Sequence, residues 1–144
     1  MPAKYKVLSV VILLIVAGLT LLGAYKNSMG KKIFIAGHAF KAEFAITPQE
    51  KAKGLGSRAS LCSDCSMVFP FDRPSIHPFW MKDMQFDLDI IWVKAGRIVY
   101  MAKNSSHLTL QVLDPKLPAD MVVEINAGLA DKYSLKIGDS VAIK

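Results

Sequence analysis

The sequence predicts a mostly β domain, a sandwich or barrel of about seven or eight short strands with two short helices, preceded by one N-terminal transmembrane helix. Three observations predict it. Residues 7–25 are apolar and uncharged. From Lys32 onward, short β-prone runs alternate with turn residues at close intervals. Helix-start signals occur at two places in that region, Thr47 and Asn126. A chain of 144 residues is enough for one domain. The division is an anchor over 1–26, a polar linker over 27–31 and a β domain over 32–144.

Val7 to Tyr25 reads VLSVVILLIVAGLTLLGAY, between Lys6 and Lys26. As a helix it would reach roughly 28 Å, close to the hydrocarbon thickness of a bilayer. A cleaved signal peptide is the rival reading. It fits poorly, because cleavage after Ala24 leaves Leu22 at the minus-three position, and no Leu-x-Gly-Cys lipoprotein pattern is present. An uncleaved anchor is therefore expected. Lys4 and Lys6 on one side nearly balance Lys26, Lys31 and Lys32 on the other, so flanking charge does not set the orientation. With a single N-terminal anchor and no other export signal, the C-terminal domain is placed outside the cytoplasm.

Eighteen basic residues face twelve acids, a formal +6. They form no dense run and no stripe interleaved with aromatics, so nucleic acid is not expected as a partner. The charge reads as solubility or mild attraction to anionic lipid. No hydrolase elbow, phosphate loop, His-Glu-x-x-His or paired catalytic acids are present, and no cofactor is implied.

The elements follow in order. Lys32 to Ala36 and Ala39 to Ile46 are two strands of a hairpin turning at Gly37-His38. Thr47-Pro48-Gln49-Glu50 is a capping box with proline at the first helical position. Gly54 and Gly56 end that helix at about Lys53. Ser66 to Phe71 is a buried strand with Pro70 near its end. Phe79 to Met84 and Leu88 to Val93 are the central strands, and Lys94-Ala95-Gly96-Arg97 is a tight hairpin turn into Ile98 to Ala102. Asn104 to Ala119 is long and irregular, the form of a binding flap. Met121 to Asn126 is a strand, and Ala127 to Leu135 a short helix with Asn126 as its N-cap. Ser140 to Ile143 closes the domain.

Several of these pieces in this order resemble domain of unknown function family 192. They are KGLGSR, SMVFPFDRP, HPFWMKDM, LDIIWV with its hairpin, and VVEINAGLADKYSLKIGDSV. The resemblance implies a compact, mostly β domain, often exported or anchored, and carries no established activity. The Cys62–Cys65 pair is not part of the family's pattern.

Two groups are candidate sites. Alternate residues of a strand face alike, so Trp80 and Lys82 are expected on one side of the 79–84 run. Asp89 and Glu124 each sit in an otherwise apolar strand and need a partner, because burying an unpaired charge is costly. Arg58 and Lys82 are the natural cations. One reading is a pocket with Trp80 as an apolar wall and Arg58, Lys82, Asp89, Glu124 and Asn126 as polar contacts. The other is a buried ion-pair network that fixes strand register. Cys62-Ser63-Asp64-Cys65 closes a small loop as a disulfide, holds a metal, or works as a redox or free thiol pair. A copper site would draw on Met67, Met81 and Met84, residues that also serve as core filler.

The functional expectation is a non-enzymatic, membrane-tethered extracytoplasmic domain. It binds a small ligand, an envelope component or a partner protein through the face around Trp80, Lys82, Asp89 and Glu124. A metal-binding or thiol-redox protein using Cys62 and Cys65 is the alternative, and a purely structural or assembly role the third.

Overall fold

The computed structural model describes residues 30–144. The expected anchor over 1–26 and most of the 27–31 linker lie outside the described residues. Among those described, no helix is long and apolar enough to cross a membrane. Residues 31–144 form one compact unit.

Seven strands make one sheet: β1 (Lys32–Ile35), β2 (His38–Phe44), β3 (Cys65–Ser75), β4 (Leu88–Lys94), β5 (Arg97–Ser105), β6 (Ala119–Asn126) and β7 (Val141–Ile143). Two short helices accompany them, α1 (Pro48–Lys53) and α2 (Leu129–Lys132). The strand order is β5-β4-β6-β3-β2-β1-β7. Every neighbouring pair is antiparallel except β2 with β3, which run parallel because α1 and the loop after it carry the chain back. The sheet curls into a half-barrel. At one end its two margins meet through an Arg97–Ser140 bridge, with Gly138 N–H donating to the Ile98 carbonyl at 2.8 Å.

The local signals explain most elements. Thr47 Oγ1 accepts from Glu50 N–H at 3.2 Å, while Glu50 Oε2 accepts from Thr47 N–H at 2.8 Å, so the capping box starts α1 as expected. Gly54 then ends it. The β4–β5 turn places Ala95 and Gly96 at φ 49° and 70°, the left-handed pair that a two-residue hairpin needs. The β1–β2 turn does the same with Ala36 and Gly37, one residue earlier than expected.

Side-chain alternation divides the core between the two faces of the sheet. On one face lie Val68, Ile91, Val93, Val123 and Ile125, covered by Tyr133 and Leu129 around α2. On the other lie Met67, Phe69, Leu88, Ile90, Trp92 and Val122, covered by Leu55, Met81 and Phe79 from the loops. Both faces of β4 are buried, which is why its sequence is nearly all apolar.

Three expectations are corrected. Phe79 to Met84 is not a strand. It forms a single bridge, Phe79 with Leu113, and then a turn in which Met84 N–H donates to the Met81 carbonyl and Asp83 adopts φ 59°. Aromatic and sulfur-bearing residues there fit a covering loop as well as a strand, since both bury apolar side chains. The strand through Ser66 is longer than expected, Cys65–Ser75, with the register shift falling after Pro70, whose ring nitrogen cannot donate to a ladder. Asn126 does not cap a helix. It ends β6, and α2 begins after Gly128 at φ 83°.

Candidate functional site

Two places on the second face carry unusual chemistry. The first is an open cleft of about 320 Å³ between α1, the end of β3 and the loop over 77–80. Its floor is aromatic. Trp92, fully buried on β4, donates from Nε1 to the His77 carbonyl at 2.7 Å and pins the loop to the sheet. Phe79 packs edge-on between Phe69 and Trp92, with ring centroids 5.0 and 5.8 Å away. The His77 imidazole stacks on Phe71 at 3.5 Å. Burial holds that imidazole below its usual pKa range, and the nearby Lys51 charge adds to the effect. Its Nε2 has no partner. Trp80 forms the lip, 52% exposed, with Lys82 Nζ 5.2 Å from its ring.

Lys51 supplies the cation. Its Nζ donates to the Pro70 carbonyl and lies 4.4 Å from the Phe71 ring centroid. An ammonium has three donors, so two remain for a ligand. The cleft offers π faces and positive charge, and no carboxylate lines it.

The second place is a buried acid. Strand register sets Glu43 beside Met67, Met67 beside Glu124, and Glu124 beside Ile90, one row across four strands. Arg58 lies over this row and holds Glu43 with two hydrogen bonds, Nη1 to Oε2 at 2.7 Å and Nη2 to Oε1. That pairing holds the Glu43 carboxyl below its usual range. Glu124 is left with no hydrogen bond to its Oε2 and is 5% exposed. Burial pushes its pKa up to about 8, against the opposing pull of the Arg58 guanidinium. At neutral pH it is mostly a neutral acid.

The loop above this row is held by several contacts. Asn126 Nδ2 donates to the Leu61 and Cys62 carbonyls, at 3.3 and 3.0 Å. Ser57 N–H donates to the Asp83 carbonyl. Cys62 and Cys65 are joined as a disulfide, with Cα atoms 5.1 Å apart. Asp64 between them pairs with Lys41 at 2.9 Å. With its sulfurs joined to each other, the cysteine pair closes the short loop between them. Replacing both cysteines by serine is expected to cost about 2 kcal/mol by chain-entropy scaling for so small a loop. A urea midpoint shift checks this, and an unchanged midpoint refutes it.

The singled-out residues do not converge on one point. Asp89 is opposite Ile125 in the β4–β6 register and so faces away from Glu124. Its oxygens accept from the Asn104 and Ala130 amides, each at 2.7 Å, which ties α2 to the sheet. Arg58 pairs with Glu43, a residue the sequence did not single out. Lys82 forms no ion pair with Asp89 or Glu124; with Trp80 it belongs to the cleft rim. Lys51 and Phe71 also belong to the cleft, and sequence alone gave no reason to join them to Trp80, because their proximity depends on how β3 and α1 pack.

Comparisons with known proteins agree with this architecture. The DUF192 profile, described as an uncharacterized ACR, matches residues 31–143. No curated protein matches the chain. A solved structure of a protein of unknown function from Novosphingobium aromaticivorans DSM 12444 superposes with a TM-score of 0.73 at 34% identity, covering 77% of this chain and 83% of that one. A Sinorhizobium meliloti 1021 protein described provisionally as a transcription regulator superposes with a TM-score of 0.74 at 25% identity, covering 80% and 95%.

Proposed function

The chain belongs to the uncharacterized DUF192 family, and on that premise we propose that it is a membrane-tethered, extracytoplasmic binding module. Its cleft takes a small anionic ligand with a flat or apolar body. The observation that carries this reading is the company around Lys51: a stacked Phe71–His77 pair and a half-exposed Trp80 facing an open cleft. Aromatic faces favour a planar or apolar body, and an ammonium with two donors to spare favours a carboxylate or a similar acid. Placement outside the cytoplasm draws support from the apolar run over 7–25 and from the Cys62–Cys65 disulfide, since such bonds persist in oxidising compartments. The disulfide also weighs against the metal reading, since joined sulfurs offer no thiolate ligand. A DNA-binding role gains nothing from the described helices, of six and four residues, which are shorter than a groove-reading helix.

Calorimetric titration of residues 31–144 with a panel of aryl carboxylates and their neutral amides tests the proposal. Carboxylates are expected to bind and their amides to bind at least tenfold more weakly. Lys51→Ala and Trp80→Ala should each weaken the carboxylate by ten- to a hundredfold, the range a charge-assisted hydrogen bond or a stacked ring contributes. No carboxylate binding, or binding indifferent to both substitutions in folded variants, refutes it.

A further inference from the structure

Residues 106–118 cross from the end of β5 to the start of β6 and leave apolar side chains open to solvent. Leu108 is 84% exposed, Leu110 72%, Val112 53% and Leu117 46%. The Phe79–Leu113 bridge, with mutual backbone hydrogen bonds of 3.0 and 2.7 Å, orders the patch. Phe79 and Leu113 turn inward onto the core. Alternation about the bridge sets their neighbours Trp80 and Val112 opposite one another on the outer side, where both are exposed. Leu110 and Leu108, also exposed, precede Val112 along the chain.

We propose that this patch, Leu108, Leu110, Val112 and Leu117 with Trp80 at its edge, docks on the anionic surface of a lipid bilayer. Indole and leucine side chains on a protruding loop are suited to the boundary between headgroups and acyl chains. Cations flank them: Lys82 beside Trp80, and Lys116 at the far end of the loop, its Nζ 2.6 Å from Asp114. Of the other acids nearby, Asp87 is engaged by His107 and Asp83 follows Lys82, so the preference for an anionic surface rests on the excess of fifteen basic residues over twelve acids in residues 31–144. The chain itself supplies the surface. Residues 26–30 span at most about 17 Å from the apolar run to the domain. The radius of gyration expected for residues 31–144 is roughly 13 Å. The tether to a bilayer holding the apolar run is thus only about as long as the domain's own radius. Docking becomes intramolecular, and a contact too weak to recruit a free protein is occupied. The orientation rests on the tether reading above. The patch is testable apart from it, because residues 31–144 lack the apolar run yet form a compact unit.

The test mixes residues 31–144 with vesicles of phosphatidylcholine alone or with an equal part of phosphatidylglycerol, at up to millimolar lipid. Trp92 is fully buried, so a change in indole emission reports Trp80. The expected result is a blue shift and co-sedimentation with the anionic vesicles. The joint substitution Leu108→Ser and Leu110→Ser should weaken partitioning at least tenfold while aryl carboxylate binding in the cleft is unchanged. Lys116→Glu should weaken it on the anionic vesicles. No partitioning on either vesicle, or partitioning indifferent to the leucine substitutions, overturns the proposal. So does a Leu108- and Leu110-dependent dimer in sedimentation, which would assign the patch to a second copy of the chain.

Discussion

Glu124→Gln is expected to make residues 31–144 more stable at pH 8 and to remove a pH dependence that the native chain shows. The folded-state pKa of Glu124 is raised from 4.5 to about 8. Between those values the native protein keeps a proton that the unfolded chain has released. Stability is therefore highest below the unfolded pKa, falls as pH rises through the window, and levels off above about 8. One pKa unit corresponds to about 1.4 kcal/mol, so the full window of about 3.5 units amounts to roughly 5 kcal/mol as an upper bound. Glutamine cannot ionise and escapes this loss. Its amide still lacks partners in the same apolar row, so its advantage should vanish or reverse near pH 4.5. The decisive measurement is the difference between variant and native urea midpoints at several pH values from 4.5 to 8. Taking the difference cancels His77 and the surface acids, which titrate in both proteins. Parallel curves would show that Glu124 is ionised or hydrated in the native state.

Asp89→Ala carries the second large effect, in the opposite direction. Asp89 is 1% exposed and accepts two backbone amides, those of Asn104 and Ala130. Hydrogen bonds to a charged acceptor contribute about 1.5–3 kcal/mol each, and stranded buried donors cost a similar amount. A loss of roughly 3–5 kcal/mol is expected, a large share of the stability of a domain this size. Asp89→Asn should recover part of it, since one carbonyl oxygen can replace only one of the two acceptors. Amide hydrogen exchange at Ala130 and Asn104 separates this account from general destabilisation. Both should exchange faster in Asp89→Ala under conditions where the β3–β6 amides remain protected. Equal exchange in variant and native protein would remove the tie between α2 and the sheet.

The two acids also show where sequence reading stops. Period-two alternation in LDIIWV sets Leu88, Ile90 and Trp92 opposite Asp89, Ile91 and Val93, and the apolar ones divide between the two core clusters in that way. What alternation within one strand cannot supply is register between strands. The pairing of Asp89 with Ile125 puts Asp89 and Glu124 on opposite faces, and a slip of one residue would have put them together. The partner of Arg58 was hidden for a related reason. Glu43 reaches Arg58 because β2 and β3 run parallel around α1, a long-range pairing that local patterns do not encode. Local chemistry was legible: the Thr47–Glu50 capping box and the Ala95-Gly96 turn both form. The HPFWMKDM stretch misled because strand and covering loop bury the same residue types. The turn at Met81–Met84 is carried by Asp83 in a left-handed conformation with no glycine to announce it.

The meeting of the two sheet margins at Arg97 and Ser140 has a consequence for behaviour at high protein concentration. An open seven-stranded sheet would offer unpaired backbone groups on both outer strands as templates for another chain. Here residues 138–141 pair with the start of β5 while β7 covers β1, so one short segment shields the start of β5 and the edge that β1 would otherwise expose. Damage to that one segment, by proteolysis or by a proline replacing Val141, would uncover two sticky rims at once. Fibrous association, more than simple unfolding, is the hazard that this closure guards against.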